Sequence, residues 1–579
     1  MNSPRSEVYD DVYFSEDGLA EKREVFVHGA EVPGQAASRS RVVIGELGFG
    51  TGLSMLATYG ALQSYRGHVQ FVSVEAHPLS RSEMGRALSG FSLASERWLE
   101  LYPEAPPAPG VHHFDLDETF SVSLWIGDVL DRLREWDGTV DAWYLDGFAP
   151  AKNPSMWSDS VFAELARLSG PDTRLASYTA AGEVRRGLER AGFEVERIPG
   201  HGRKRHRIVG RYLRGTSVWA PNSVCVVGGG IAGASVARSL KRRGTPVTVI
   251  DSNPSQSASR NPAAVLSPRI NRLDDAASRL HIHAFEYAAR VYAGFPGFDQ
   301  CGVLRAAVDE ELADRFSKGL DRTALGAGPS RAVTPADTAA LAGVEVPYPG
   351  VWLPEGGVLD PSLLLPALLE DVEIRAAEVE AFDFDYDRSS DAIRVHTSDG
   401  DVIADAVVIA SGAWTGRWLP ELPFRTSRGQ LTLCGEAVPL RCVVSAHGYM
   451  TKSVGGHHVL GATYARGDED PSVRREDHEK NLERLRAWAP TLADRLTVVG
   501  GRAAQRSQVP DHLPVVGRVG VLRVLGALGS RGFALAPLAA EVLVAEMCHG
   551  VPPLERAGRA AISPERYLVP APTGPVGTD

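Results

Sequence analysis

The chain has 579 residues, 44% of them hydrophobic, with 61 Lys and Arg against 72 Asp and Glu and a formal net charge of −11. That length exceeds a single domain, and the composition is that of an ordinary globular protein. The acidic balance argues against indiscriminate nucleic-acid binding, and five scattered cysteines with no C-x-x-C pair argue against a structural zinc site.

Met1 to Asp11 contains no apolar leader core, and no later stretch approaches the roughly 18 apolar residues of a membrane span. We therefore expect reduced thiols, a cytoplasmic location and no membrane association. Through the first third, Arg41 to Ile44, Gln70 to Val74, Leu124 to Ile126, Ala142 to Leu145 and Arg174 to Tyr178 read as strands. Helices are expected at Ser54 to Gln63, Met156 to Leu168 and Ala181 to Ala191, and Tyr102 to Gly110 as a stiff loop. The alternation predicts an α/β fold with a doubly wound, mostly parallel sheet.

The first strand runs into Gly45-Glu46-Leu47-Gly48-Phe49-Gly50-Thr51-Gly52. An acid inside such a loop would repel a pyrophosphate and attract a sulfonium, so Glu46 favours S-adenosylmethionine over NAD. Glu75 ends the next strand, where it is placed for ribose hydroxyls, and Asp128 follows a third strand, within reach of an adenine amino group. Asp146 ends the strand before Gly147-Phe148-Ala149-Pro150-Ala151-Lys152-Asn153-Pro154-Ser155-Met156-Trp157. A carboxylate there can take a proton from an amine that attacks a methyl group; a helix-cap or turn aspartate is the alternative.

From Pro199 to Ile250 there are ten Lys and Arg and no Asp or Glu, densest at Arg203-Lys204-Arg205-His206-Arg207. Either this is a solvated basic surface or Arg203, Lys204 and Arg205 form a local RNA phosphate contact. Trp219-Ala220-Pro221-Asn222 is the expected boundary, giving domains 1–219 and 220–579 without an internal repeat.

The second module opens with Val224 to Val227 and Gly228-x-Gly230-x-x-Gly233, with Asp251 eighteen residues after the last glycine. Strand, helix and acid in register make this a dinucleotide site, the acid holding a ribose hydroxyl. Flavin-binding parts are expected near 220–290, 400–420 and 500–550, with an interleaved α+β substrate domain between them. His281-x-His283 and His457-His458 lack partner acids and read as surface or capping residues, so no metal is expected.

Several strings resemble known families. Asp10 to Ser15, Gly48 to Leu53, Asp146 to Trp157, Tyr178 to Leu188 and Gly202 to Arg205 resemble the bifunctional tRNA 5-methylaminomethyl-2-thiouridine biosynthesis proteins. Ser257 to Asn261, Val407 to Trp414 and Gly526 to Phe533 resemble the glycine-oxidase and D-amino-acid-oxidase flavoenzymes, and Asp511 to Gly517 again resembles the bifunctional family. The resemblance implies a class I methyltransferase with Glu46, Gly48, Gly50, Gly52, Glu75 and Asp128 around S-adenosylmethionine and Asp146 at the acceptor amine. It implies an FAD oxidoreductase with Gly228, Gly230, Gly233, Asp251, Gly529 and Arg531 at the cofactor, and Arg506, before Pro510-Asp511, holding a substrate carboxylate. An ion-pair role for Arg506 is the alternative.

The implied activity is oxidative removal of a carboxymethyl group from the wobble uridine of tRNA, followed by N-methylation, with dioxygen as flavin oxidant and a monomer expected. One segment departs from the family, since Arg260 to Pro268 stands where Gly-Asn-Arg-Gln-Gly-Ala-Leu-Tyr-Pro is usual. Two other readings stay open from the residues: a small-molecule amine oxidase fused to a methyltransferase, and a nucleic-acid-binding scaffold with inactive cofactor sites.

Overall fold

A computed structural model describes residues 5–6, 11–12, 17–91, 93–202, 204–215, 220–252, 257–384, 392–435 and 438–568. Arg203, Trp219 and much of Asp10 to Ser15 lie outside them. The chain falls into two units, one of residues 1–220 with 242–244 and 544–556, the other of the remainder.

In the first unit the apolar runs become buried strands because both sheet faces are covered. In chain order they are β1 (Arg41–Leu47), β2 (His68–Glu75), β3 (Gly110–Asp115), β4 (Phe120–Ile126), β5 (Val140–Leu145), β6 (Ser169–Ser177), β7 (Phe193–Pro199) and β8 (His206–Tyr212). They form one sheet in the order β3-β4-β2-β1-β5-β6-β8-β7. The five from β4 to β6 are parallel, while β3 and β8 run antiparallel to their neighbours. Along β1, Val42 and Ile44 enter one apolar cluster and Val43 another, as alternation across a sheet requires.

Helices α1 (Gly18–Lys22), α2 (Leu53–Ala61), α3 (Val129–Glu135), α4 (Asp159–Arg167) and α5 (Gly182–Ala191) cover this sheet. The expected helix from Met156 is two elements: a short turn at Pro154–Trp157, then α4, whose start is capped by Ser158 Oγ accepting from Val161 N at 3.4 Å. Of the basic segment after Pro199, His206 to Tyr212 forms β8, while Lys204 and Arg205 precede it. Sequence patterning also missed that the C-terminal stretch Val544–Arg556 completes this unit. Gln70 Nε2 donates to Val551 O at 2.6 Å and Gln70 Oε1 accepts from Val551 N at 3.0 Å, both buried, and Arg132 pairs with Glu555 at 2.8 Å.

The second unit begins with β9 (Val224–Val227), α6 (Ile231–Arg242) and β10 (Val247–Ile250), a β-α-β unit. Further along lie β11 (Glu373–Arg375), β12 (Ala406–Ile409), β13 (Arg425–Gly435), β14 (Thr497–Gln508), β15 (Val515–Val519), β16 (Leu522–Gly526) and α7 (Gly532–Met547). The dinucleotide sheet has the order β11-β10-β9-β12-β16-β15. A separate nine-stranded sheet carries the antiparallel pair β13–β14, in register from Arg425↔Gln508. The chain leaves the first sheet to build the second and then returns, which is the interleaving expected from the sequence. Among the described residues no helix is long and apolar enough to cross a membrane.

Candidate functional sites

In the first unit a cavity of about 770 Å³ opens at the carboxyl ends of β1, β2, β4 and β5, where a parallel sheet gathers its ligands. Gly48 turns there with φ +92°, and a Cβ on it would lie 2.9 Å from Asp146 O, so only glycine lets the loop pass so close to β5. Gly48, Gly50, Glu75, Asp128 and Asp146 all line this space. Gly52 does not; it opens α2. Glu75 stitches the loop, Oε2 accepting from Gly50 N and Oε1 from His77 N, both at 2.8 Å. Asp128 is the helix cap: its Oδ1 accepts from Leu130 N at 2.9 Å and Asp131 N at 3.3 Å, beside the cavity.

Glu46 requires a correction. It is completely buried, does not reach the cavity, and accepts from Ser73 Oγ at 2.8 Å. Burial, then the neighbouring Asp146 carboxylate, push it well above the usual carboxylate range. It therefore does not face a sulfonium in the cavity; the acids that border the cavity are Asp17, Glu21, Glu75, Asp128 and Asp146.

Asp146 is nearly buried, and its Oδ2 accepts from Ser54 Oγ at 3.0 Å and pairs with Lys22 Nζ at the end of α1. Burial raises its carboxyl, against the lowering pull of Lys22. Lys22 was missed in the sequence because it lies 124 residues away. The only signal was a lysine near the end of a short helix. Lys204 also borders the cavity, its Nζ 3.5 Å from the centre of the Tyr178 ring.

The rest of the basic run divides. Lys204 and Arg205 are exposed, whereas Arg207 is buried, pairing with Glu24 Oε1 at 2.8 Å, and Arg211 pairs with Asp172. Arg207 and Arg211 thus serve the fold.

In the second unit a cavity of about 580 Å³ lies at the carboxyl ends of β9, β10 and β12, bordered by Gly228, Gly230, Asp251, Arg506, Gly529 and Arg531. Gly233 does not line it: a Cβ there would sit 1.8 Å from Gly228 O, so this glycine lets α6 close on β9. Asp251 Oδ2 pairs with Arg260 at 2.6 Å. That arginine belongs to the departing segment, where Asn261 accepts from Arg502 and Ala264–Leu266 forms a strand against Gly357–Leu359. Ala263, Ala264 and Val265 give the cavity an apolar wall there.

Arg506 projects from β14 across Gly429, with Nη1 donating to Thr463 O at 3.3 Å. Among the described residues no carboxylate pairs with it, so the ion-pair alternative has no partner. Burial lowers its guanidinium, and the neighbouring Tyr449 and Tyr464 oppose that. Tyr464 donates to Gln508 Oε1 at 2.5 Å. Both tyrosines border the cavity and both escaped the sequence reading, since Tyr449 sits on a strand and Tyr464 in a loop far from Arg506 along the chain. Arg531 is also without an acid partner among the described residues, and burial takes it down to about 10. A buried cation without a counter-ion fits a site that receives an anion.

The histidines expected at the surface are mostly inside. His281, His283 and His458 are buried, and His458 bridges Thr451 O at 2.8 Å and Val438 N at 3.3 Å. Among the described residues no cluster could hold a metal ion, and the five cysteines are free.

The family described as FAD dependent oxidoreductase matches residues 223–547, and the one described as S-adenosyl-L-methionine-dependent methyltransferase matches residues 91–212. The tRNA 5-methylaminomethyl-2-thiouridine biosynthesis bifunctional protein MnmC of Caulobacter vibrioides is 38% identical over 575 residues, covering 96% of this chain and 94% of its own. The protein of the same description from Chromohalobacter salexigens is 35% identical over 640 residues, covering 98% and 91%. Among solved structures, L-proline dehydrogenase of P. horikoshii has a TM-score of 0.52 at 21% identity, covering 61% of this chain and 99% of that one. Iminodiacetate oxidase of Chelativorans sp. reaches 0.50 at 24% identity, covering 59% and 98%. At these identities the likeness is one of fold.

Proposed function

Since this chain belongs to the family of bifunctional tRNA 5-methylaminomethyl-2-thiouridine biosynthesis proteins, joining a methyltransferase to an FAD-dependent oxidoreductase, we propose that it acts twice on one nitrogen of the tRNA wobble uridine. When bound, FAD supplies the hydride acceptor and S-adenosylmethionine the methyl group. The rest of the chemistry is orientation and proton handling by this chain.

In the second unit, Arg506 holds the carboxylate of a carboxymethylaminomethyl group, which sets the adjacent C–N carbon over the cofactor. Tyr449 and Tyr464 hold the arginine's flanks. Oxidation at that carbon and hydrolysis of the imine remove the carboxymethyl arm and leave a primary amine. Dioxygen is the proposed flavin oxidant. In the first unit the amine approaches Asp146, the methyl donor lies along Gly48, Glu75 and Asp128, and Asp146 takes the proton released on methylation. Lys204 and Arg205, with Arg203, contact RNA phosphates, the local exception on an acidic protein. The protein is proposed to work in the cytoplasm as a monomer.

One observation carries this reading: the chain has an arginine without an acid partner among the described residues, in the flavin cavity, and a carboxylate facing the methyl-donor cavity. These are the receptors for the two ends of a carboxymethylamine. Nucleoside analysis of tRNA from cells with and without the gene tests it. Methylaminomethyl-uridine should disappear without the gene, with its carboxymethylaminomethyl precursor accumulating; identical wobble nucleosides in both samples refute it.

A further inference from the structure

We propose that Lys22 is a positioning residue for methyl transfer, fixing one oxygen of Asp146 and, through its charge, keeping the acceptor amine uncharged. The inference rests on the amine-methylation reading above and concerns how that site makes its nucleophile. Lys22 Nζ and Ser54 Oγ both engage Asp146 Oδ2. Among the described residues Oδ1 has no partner, so it is the atom left for a substrate. Lys22 itself is held in place: its side chain is 9% exposed, and its ammonium lies 5.2 Å from the centre of the Phe26 ring.

The charge matters because of what a bare carboxylate would do. An alkylamine titrates near 10, so at pH 7 only about one in a thousand is neutral, and an unpaired aspartate would hold it as an inert ammonium. With Lys22 on Oδ2 the pair is close to neutral overall, and a second ammonium on Oδ1 meets a like charge. Glu46 on β1 and Tyr144 on β5 face this pair, both pushed up by burial toward their neutral forms. Lys204 adds a second positive charge toward Asp146, of the same sign as Lys22. Glu21 and Glu75 border the cavity without pairing with Asp146. The amine lone pair then attacks the methyl carbon, and the S–C bond breaks with its electrons staying on sulfur. The secondary ammonium so formed passes its proton to Oδ1.

The experiment measures methylation kcat from pH 6 to 10 with the full chain, S-adenosylmethionine and a tRNA bearing 5-aminomethyluridine, for wild type, Lys22→Met, Lys22→Gln and Lys22→Arg. We expect Lys22→Met and Lys22→Gln to be slower by roughly 10- to 100-fold at pH 7, with the acid limb moved up by about one to two pH units and most of the rate recovered at pH 9.5. Lys22→Arg should keep a profile near wild type. S-adenosylmethionine affinity serves as the folding control. An unshifted acid limb in either neutral variant overturns the inference, as does Lys22→Gln matching wild type. Faster turnover of Lys22→Met at pH 7 would instead make Lys22 a competitor for the amine site and overturn it too. Wild type failing to methylate this tRNA would defeat the functional reading itself, a distinguishable result.

Discussion

The two cavities handle charge in opposite ways. In the methyltransferase unit the Asp146 carboxylate, bordering the cavity, has its counter-ion within the protein, Lys22, and a second acid, Glu46, is driven toward neutrality behind it. In the oxidoreductase unit Arg506 and Arg531 border the cavity with no acid partner among the described residues, and burial depresses both. A site that must accept a cationic donor and a neutral amine gains from internal balance. A site that must grip a carboxylate gains from an unmet cation, because a partner acid would compete with substrate.

The sharpest way to break this contrast is a crossed pair of variants. Asp146→Asn should lower methylation kcat by about 10³-fold while leaving oxidation of carboxymethylaminomethyl-tRNA unchanged. Arg506→Met should do the reverse, lowering oxidation kcat/KM by roughly 10²- to 10³-fold with methylation intact. Separate assays of the two half-reactions check both; a matching loss in the other half-reaction would dissolve the distinction between the sites.

Gly233→Ala should cut flavin affinity by roughly 100-fold, since the added methyl group meets the Gly228 carbonyl. Visible absorbance of the purified protein reads this directly, and methylation of aminomethyl-tRNA should persist. A smaller effect is expected from reversing Lys204 and Arg205 to Glu. tRNA affinity should fall by about 10-fold and the salt dependence of binding should flatten by one to two ions, as measured by titration at several salt concentrations. If affinity is unchanged, the exposed basic residues are only a solvated surface.

The smallest effect is on stability. Burial, followed by the charges of Arg531 and Arg269, brings His281 down to about 3 from a usual 6.5. Its neutral form favours the folded state fully above pH 6.5, and that contribution declines as pH falls, because the unfolded chain takes up a proton the folded one resists. Between pH 6.5 and 5 the loss is about 2 kcal/mol. Denaturant titrations should show His281→Gln flattening this decline, and an equal slope in both proteins would remove His281 as its cause.

What was legible in the sequence was local. The loops after β1 and β9 follow apolar strands and precede helices, so their position at the strand ends could be read from spacing alone. Asp128 and Asp146 were found because each ends or follows a strand. What escaped was set by distance along the chain. Lys22 meets Asp146 only after α1 packs beside β5, and Tyr449, on a strand, and Tyr464, in a loop, come near Arg506 only in the folded sheet. Val551 reaches Gln70 across 481 positions. Glu46 misled for a related reason: its place in the loop string was visible, but strand alternation turns its side chain into the core. Similarly, the basic run gave no sign that Arg207 would be drawn into the fold by Glu24.

The central claim is that both chemistries act in sequence on one nitrogen, and a single incubation tests it most directly. Transfer RNA carrying 5-carboxymethylaminomethyl-uridine is incubated with the FAD-loaded full chain, with and without S-adenosylmethionine, and its nucleosides are resolved by mass spectrometry. We predict aminomethyl-uridine without the methyl donor and methylaminomethyl-uridine with it. Recovery of unaltered carboxymethylaminomethyl-uridine under both conditions would contradict the account.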